Sequence, residues 1–416
     1  MKTKEKEEKK KLKKEKKEKV VREEKDKTQF SLVEVIVIMI ICIIFGLLIG
    51  GYIVSQRRAN LNEEHRIDFN EINGLYEDIN RNYYGEYTSN SFRDNTVKGM
   101  LSYLDDPYAR LITSEETIDY MESLESEFIG IGMEITKLET DEYAKVTKIY
   151  SNTPADRGGL KENDLIIKVD KKDLTGLSID EVIKSIKGGS RGDKVKLTLK
   201  RGEKTIEKEL SKEIITLPTV DHKIIEKDDK KIGEIIISNF SKNTYSEFKI
   251  AYEELKKEKV DGLIIDLRDN GGGYLTAAAK VTSMFLDNNK VIYIEKKKDK
   301  EEKILSHDER TIKDKVVILI NGGTASGSEI MASSLKMNAD ATLVGTNTYG
   351  KNTIQKIHTL KDDALVKFTV GEWLTSEGQT IKDDKVKPDV VVEDNTCCER
   401  NSETDEVLKQ ALKIFE

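Results

Sequence analysis

Hydrophobic and polar positions change rhythm several times along this chain. The first stretch has no rhythm at all: from Val35 to Val54, VIVIMIICIIFGLLIGGYIV, twenty residues pass without a charge. About 20 such residues are what a helix needs to cross a bilayer's hydrocarbon core. A cleavable signal peptide carries a shorter apolar core of about 7 to 15 residues and a small-residue cleavage site. Here the run ends instead in Tyr52, Ser55, Gln56, Arg57 and Arg58. The pattern predicts an uncleaved transmembrane helix over 32–55.

A helical period follows. Phe69, Ile72, Leu75, Tyr76, Ile79 and Tyr83 recur at three- and four-residue steps, which predicts an amphipathic helix with one buried stripe. A second helical piece is expected over Arg93–Leu104, then the loop Asp105-Asp106-Pro107 and a helix around Ser114–Ser126. From Phe128 to Leu210 short β-branched runs such as Tyr143–Tyr150, Asp164–Val169 and Lys194–Leu199 are punctuated by Gly and Pro, as in a small β-rich domain. Ile179, Val182, Ile183 and Ile186 mark one short helix within it. From Ile215 to Glu393 strands and helices alternate: Lys231–Ser238 and Gly262–Leu267 flank the helix Thr244–Lys256, and Val316–Ile320, Ala341–Gly345 and Leu365–Val370 are further strands. Such alternation argues for an α/β domain with crossover helices. A final helix, Thr404–Phe415, carries no evident chemistry. The expected architecture is multidomain: a charged tail at 1–31, the transmembrane helix at 32–55, a helical region at 60–127, the β-rich domain at 128–212, the α/β core at 213–396 and a C-terminal helix at 397–416.

Charge changes this picture in one respect. Residues 1–28 hold 14 Lys or Arg against 8 Asp or Glu, so the chain's net charge of −7 divides into +6 there and −13 elsewhere. A basic segment before a span stays in the cytoplasm by the positive-inside rule, although Arg57 and Arg58 lie on the other side. A plasma-membrane protein with a single span, its N-terminus cytoplasmic and its body outside, is the expectation. The acidic body makes nucleic acid a poor partner. Cys42, Cys397 and Cys398 give no disulfide framework and no zinc-ligand spacing.

Two Gly-rich strand-to-helix turns carry the candidate chemistry. One is Asp266-Leu267-Arg268-Asp269-Asn270-Gly271-Gly272-Gly273, the other Asn321-Gly322-Gly323-Thr324-Ala325-Ser326-Gly327-Ser328-Glu329. Backbone N–H groups at such turns hold negative charge, but neither has the spacing of a phosphate-binding loop. Ser326 stands where a helix begins, and the Gly327 N–H can donate to an oxyanion beside it. A hydroxyl still needs a base. His65, His222, His307 and His358 sit in unsuitable contexts, near the membrane, in charged loops and in a strand. Lysine is the alternative base. For Lys351 to act near neutral pH its pKa must drop by about 3 units, roughly 4 to 5 kcal/mol, which desolvation can supply. Spacing alone does not single it out among the lysines.

Resemblance does. Gly130-Ile131-Gly132-Met133, Thr153-Pro154-Ala155 through Gly159-Leu160, and Asp164-Leu165-Ile166 resemble a PDZ domain. That implies a groove where an extended peptide adds as a strand while backbone N–H groups of residues 130–133 hold its terminal carboxylate. From Leu104 to Val392 the chain resembles the carboxyl-terminal processing peptidases. The likeness rests on Leu104-Asp105-Asp106-Pro107-Tyr108, the PDZ elements, Leu267-Arg268-Asp269-Asn270, Ala325-Ser326 with Ser328-Glu329-Ile330, Gly350-Lys351 with Gln355, and Pro388-Asp389-Val390.

The resemblance implies Ser326 as nucleophile, Lys351, 25 positions on, as general base, Gln355 as the residue orienting its amine, and the N–H groups of Gly272 and Gly327 as oxyanion donors. Thr324 and Ser328 are expected to be structural, with Ser328 capping its helix. It further implies protein or peptide substrates with accessible C-termini, no cofactor or metal, and a homodimer through the N-terminal helices. Gly271 stands where proline or serine is common, Thr324 replaces a serine, Gly327 an alanine and Asn352 a glycine. A looser loop that assembles around substrate is expected from these departures. The competing expectation is a non-catalytic membrane adaptor that keeps the PDZ domain on a degenerate protease fold.

Overall fold

The computed structural model describes residues 10–18, 32–59, 69–307, 309–393 and 404–416. Most of the charged tail and the Cys397–Cys398 pair lie outside the described residues. The chain divides into two compact units, Met1–Tyr87 and Thr88–Glu416.

In the first unit the apolar run forms the helix Leu32–Ala59. The transmembrane helix expected over 32–55 is corrected here: among the described residues no helix is long and apolar enough to cross a membrane. The single span therefore drops out of the architecture. The amphipathic helix Phe69–Asn82 forms, with Phe69, Ile72 and Leu75 exposed.

The second unit begins with the helices Ser89–Ser102 and Ser114–Glu125. Thr113 opens the latter with a capping box, its hydroxyl accepting from the Glu116 N–H while the Glu116 carboxylate accepts from the Thr113 N–H. The β-rich domain is a sheet in the order Met133–Thr136, Ala144–Ile149, Leu165–Val169, Lys194–Arg201, Lys204–Ser211. Its core includes Ile131, Val146, Ile166, Leu197 and Leu199, closed by the helix Ile179–Ile186. Met133–Thr136 is an edge strand and lies beside that helix's groove. A two-stranded ribbon, Glu127–Gly130 against Glu213–Thr216, carries the chain into and out of this domain.

The core is built on a six-stranded sheet. Val220–Lys227 pairs antiparallel with Lys230–Ile237, and Gly262–Asp266, Val316–Ile320, Thr342–Gly345 and Val390–Val391 continue in parallel. Every residue of Gly262–Asp266 and Val316–Ile320 is buried, because both faces of the sheet are covered. Leu263, Ile265, Ile318 and Ile320 meet residues of the helices Thr244–Lys257, Leu275–Ser283 and Gly327–Ala339. Ile264, Val317, Leu319 and Val344 meet Val407, Leu408, Ala411 and Leu412 on the C-terminal helix Glu406–Lys413. That last helix covers the far face of the six-stranded sheet.

A second sheet takes up the strand expected over Leu365–Val370, which forms as Leu365–Leu374, and joins it to strands that the pattern did not predict. Arg110–Ile112, Leu365–Leu374, Val291–Lys297 and Lys300–Leu305 lie in that order, and Thr353–Thr359 also pairs with Leu365–Leu374.

Candidate active site

The serine comes from the first sheet and the lysine from the second. Val316–Ile320 ends at Asn321, and the turn that follows delivers Ser326 to the start of the helix Gly327–Ala339. Ser326 has φ 55° and ψ −115°. A non-glycine residue there costs on the order of 1–3 kcal/mol and persists only where its surroundings over-determine it. They do so here. The Thr324 hydroxyl donates to Leu267 O at 2.8 Å, the Ala325 N–H to Asn270 O at 3.0 Å and the Ser328 hydroxyl to the same carbonyl at 3.0 Å. Ser328 thus ties the two Gly-rich turns together instead of capping its helix. The Thr324 hydroxyl also accepts from the Asn321 N–H.

Glu329 is fully buried and joins the loops that carry Ser326 and Lys351. One carboxylate oxygen accepts from the Ser326 N–H at 2.7 Å and the Lys351 N–H at 3.0 Å. The other accepts from the Thr348 hydroxyl at 2.6 Å and the Gly350 N–H at 2.7 Å. The sequence placed Glu329 inside a motif and gave it no role. An acidic residue in a helix's first turn reads as a partner of the dipole, and nothing local marks it as a bridge.

Lys351 leads into the strand Thr353–Thr359. Its carbonyl accepts from the buried Trp373 indole at 3.0 Å, and Asn352 donates to Glu372 and Thr380 while its carbonyl accepts from the Trp373 N–H. The position expected to loosen this loop is fastened on both sides. Burial pulls the Lys351 amine below the ordinary lysine range, against the opposing charge of Glu329. The amine sits 5.3 Å from the centre of the Tyr108 ring. Tyr108 itself is shifted upward, first by burial and then by Tyr349.

Ser326, Lys351, Gln355 and Gly271–Gly273 line one cavity of about 740 Å³, together with Tyr120, Ser123 and Leu124 of the helix before the PDZ-like domain. Of the expected oxyanion donors, Gly272 packs directly against Ser326. A Cβ on it would stand 2.8 Å from Ser326 Cβ and 3.0 Å from Gly327 N, and its φ of 103° suits glycine. Its N–H, however, donates to Asn270 Oδ1 at 2.9 Å. Gly327 N begins the helix, where N–H groups have no intrahelical acceptor. Gln355 lines the cavity, but its Nε2 is buried without a hydrogen-bond partner.

The residues expected to hold a peptide end lie elsewhere in this unit. Gly130, Ile131, Gly132 and Met133 line a separate groove of about 420 Å³ with Ile135, Ile183, Ile186 and Lys187. Lys187 is ion-paired with Glu122, whose other oxygen accepts from the Ile129 N–H at 3.3 Å. The helix bearing Glu122 thus touches this groove and contributes Tyr120, Ser123 and Leu124 to the serine cavity.

Known proteins resemble this arrangement. Residues 231–392 match the model for peptidase family S41, and residues 128–211 match that for the PDZ domain. The chain is 33% identical over 369 residues to a probable CtpA-like serine protease of Staphylococcus epidermidis, covering 88% of this chain and 73% of that one. It is 34% identical over 343 residues to the carboxy-terminal processing protease CtpA of Bacillus subtilis, covering 82% of this chain and 72% of that one. A crystal structure assigned to the S41 proteases, from Bacteroides fragilis, shares the fold with a TM-score of 0.50 at 16% identity, over 80% of this chain and 90% of that one.

Proposed function

The chain belongs to peptidase family S41, as a C-terminal processing serine protease with a PDZ domain, and from that premise we propose that Ser326 and Lys351 form its catalytic dyad. The observation that carries this reading is the cavity that Ser326, Lys351 and Gln355 line together, in which burial disfavours the charged amine. Neutral Lys351 Nζ takes the proton from Ser326 Oγ as that oxygen attacks the scissile carbonyl. The N–H groups of Gly327 and Gly272 receive the oxyanion, Gly272 by exchanging or sharing its bond to Asn270 Oδ1. The Lys351 ammonium then returns its proton to the leaving amine, and the acyl group stays on Ser326. Water, deprotonated by the same amine, attacks the ester, the ammonium returns that proton to Ser326 Oγ as the acyl–oxygen bond breaks, and the shortened chain leaves.

The edge strand Met133–Thr136 supports capture of the substrate tail by strand addition, with residues 130–133 at the carboxylate end. Ser326→Ala and Lys351→Ala are expected to reduce cleavage of a peptide with an apolar C-terminus to background, and a serine-reactive probe is expected to label the parent chain at Ser326. Retained turnover in either variant rejects the dyad.

A further inference from the structure

A second lysine lines the serine cavity and has no role in the steps above. Lys367 lies on the strand Leu365–Leu374, in register with Ile357 on one side and Arg110 on the other. Its amine stands over the Tyr120 ring, 5.7 Å from the centre, and the Arg110 guanidinium stands 5.7 Å from the same ring. Tyr120 and Lys367 both face the cavity that holds Ser326. Among the described residues no carboxylate forms an ion pair with Lys367.

The charges around this amine are mostly of its own sign. Burial lowers its pKa first, and Lys351 and Arg110 lower it further, while Asp106 alone opposes them. Asp106 is already engaged: one oxygen accepts from the Thr369 N–H at 2.8 Å and the other from the Tyr108 N–H at 3.0 Å. Gln355 Nε2 and Thr353 Oγ1, on the strand beside it, are buried without partners. A wall with unpaired cation and donors lacks an anion that can accept from them. Partly desolvated cations bind a carboxylate more strongly than surface ones do.

We propose that Lys367 is a specificity-determining residue, which binds a carboxylate of the substrate beside the scissile bond. The carboxylate comes from an acidic side chain flanking that bond or from the terminus of a short tail. The proposal rests on the reading of Ser326 as nucleophile.

Peptides sharing one apolar C-terminus and differing only as Glu, Gln or Lys at each of the three positions on either side of the cleaved bond test it. The full chain is expected to cleave the best Glu peptide roughly 10-fold to 100-fold faster in kcat/KM than its Gln twin, the range for a hydrogen bond to a charged group. Lys367→Met is expected to bring that ratio close to one, Lys367→Arg to retain it, and Lys367→Glu to favour the Lys peptide. Shortened peptides with a free or amidated end distinguish the sources: a terminal carboxylate shows as an end-group preference that Lys367→Met removes. A parent ratio within about twofold of one for both sources, or a ratio unchanged in Lys367→Met, overturns the proposal. Binding of the same peptides to the Ser326→Ala chain reads the subsite without chemistry. Turnover by Ser326→Ala would defeat the nucleophile assignment, whereas equal binding of Glu and Gln peptides would defeat only the subsite.

Discussion

On one side of the cavity Glu329 accepts four hydrogen bonds of 3.0 Å or less, and the turn bearing Ser326 is fixed to its neighbour through Thr324, Ala325 and Ser328. On the other side Gln355 Nε2 and Thr353 Oγ1 are buried and unpaired, behind a register shift between Ile354 and Gln355. The first wall hangs from adjacent parallel strands whose residues are all buried. The second belongs to an antiparallel sheet whose strand Leu365–Leu374 is half-buried over most of its length. A buried donor without an acceptor costs roughly 1–3 kcal/mol, so a substrate carbonyl or carboxylate arriving at the second wall removes a side-chain penalty that the first wall does not carry. The contrast gives the two walls different work: the serine wall is finished before substrate binds, and substrate completes the lysine wall.

The sharpest way to break this contrast is to cut the strut of the finished wall. Glu329→Ala strands four donors, including the N–H groups of both Ser326 and Lys351. Misplacement of reacting groups by about 1 Å costs on the order of 100-fold in rate. We expect kcat to fall at least that far with KM nearly unchanged, and Glu329→Gln, which keeps one acceptor oxygen, to fall less. Steady-state kinetics beside a thermal melt checks it. A folded Glu329→Ala chain with near-parental kcat would show that the serine wall holds itself without the carboxylate.

A second cut sharpens the comparison from behind the sheet. Arg268 is buried in the loop that carries Gly272, and its guanidinium donates to Asp266 and, at 3.0 and 2.7 Å, to both oxygens of Asp405. Asp405 also caps the C-terminal helix by accepting from the Leu408 N–H. Asp405→Ala leaves a buried cation half-paired, a change that costs about 3–5 kcal/mol. Denaturant unfolding of the full chain is expected to show a loss of that order. A loss under about 1 kcal/mol would mean that the helix contributes packing alone.

The strands of the first wall were readable because GLIID and VVILI sit in a sheet covered on both faces, so they appear as unbroken apolar runs. The two Gly-rich turns were readable because each follows one of those runs. The second wall was readable only in part: Leu365–Val370 stood out as a strand and forms within Leu365–Leu374, whereas TIQKIHT mixes charged, polar and β-branched positions in a strand only partly buried, so neither period dominates there. The last helix had a visible apolar face, but its partner, the far face of a parallel sheet, leaves no local trace. At Leu32–Ala59 the apolar run forms the expected helix, but among the described residues no helix is long and apolar enough to cross a membrane.

Titration separates the walls further. Burial lowers the Lys351 pKa while the Glu329 charge raises it. In the proposed dyad the neutral amine is the base, so kcat/KM is expected to rise about tenfold per pH unit up to a midpoint below 10.5, then level off. Over the window between that midpoint and 10.5 the unfolded chain binds the proton that the folded chain has lost, so folding stability also rises with pH there. Glu329→Gln removes the opposing charge and moves the midpoint of its residual activity to lower pH. A midpoint that stays fixed would mean the carboxylate acts only through its hydrogen bonds.

The smallest effect tests how closely the finished wall is packed. Gly327 stands where an alanine is common among the carboxyl-terminal processing peptidases. A Cβ there would lie 3.2 Å from Ala278 Cβ and 3.6 Å from the Phe240 ring. Its backbone is not in the left-handed region, so Gly327→Ala gains about 0.4–1 kcal/mol by restricting the unfolded chain, set against a shift of a few tenths of an ångström. That shift moves Gly327 N, an oxyanion donor in the proposed mechanism, away from a position fixed by Ser326 and Gly272. Thermal stability within about 1 kcal/mol of the parent, with kcat lowered several-fold and KM kept, is the expected result. If the variant is more stable and equally fast, the contact with Ala278 relaxes without disturbing the nucleophile, and the serine wall has more slack than its hydrogen bonds suggest.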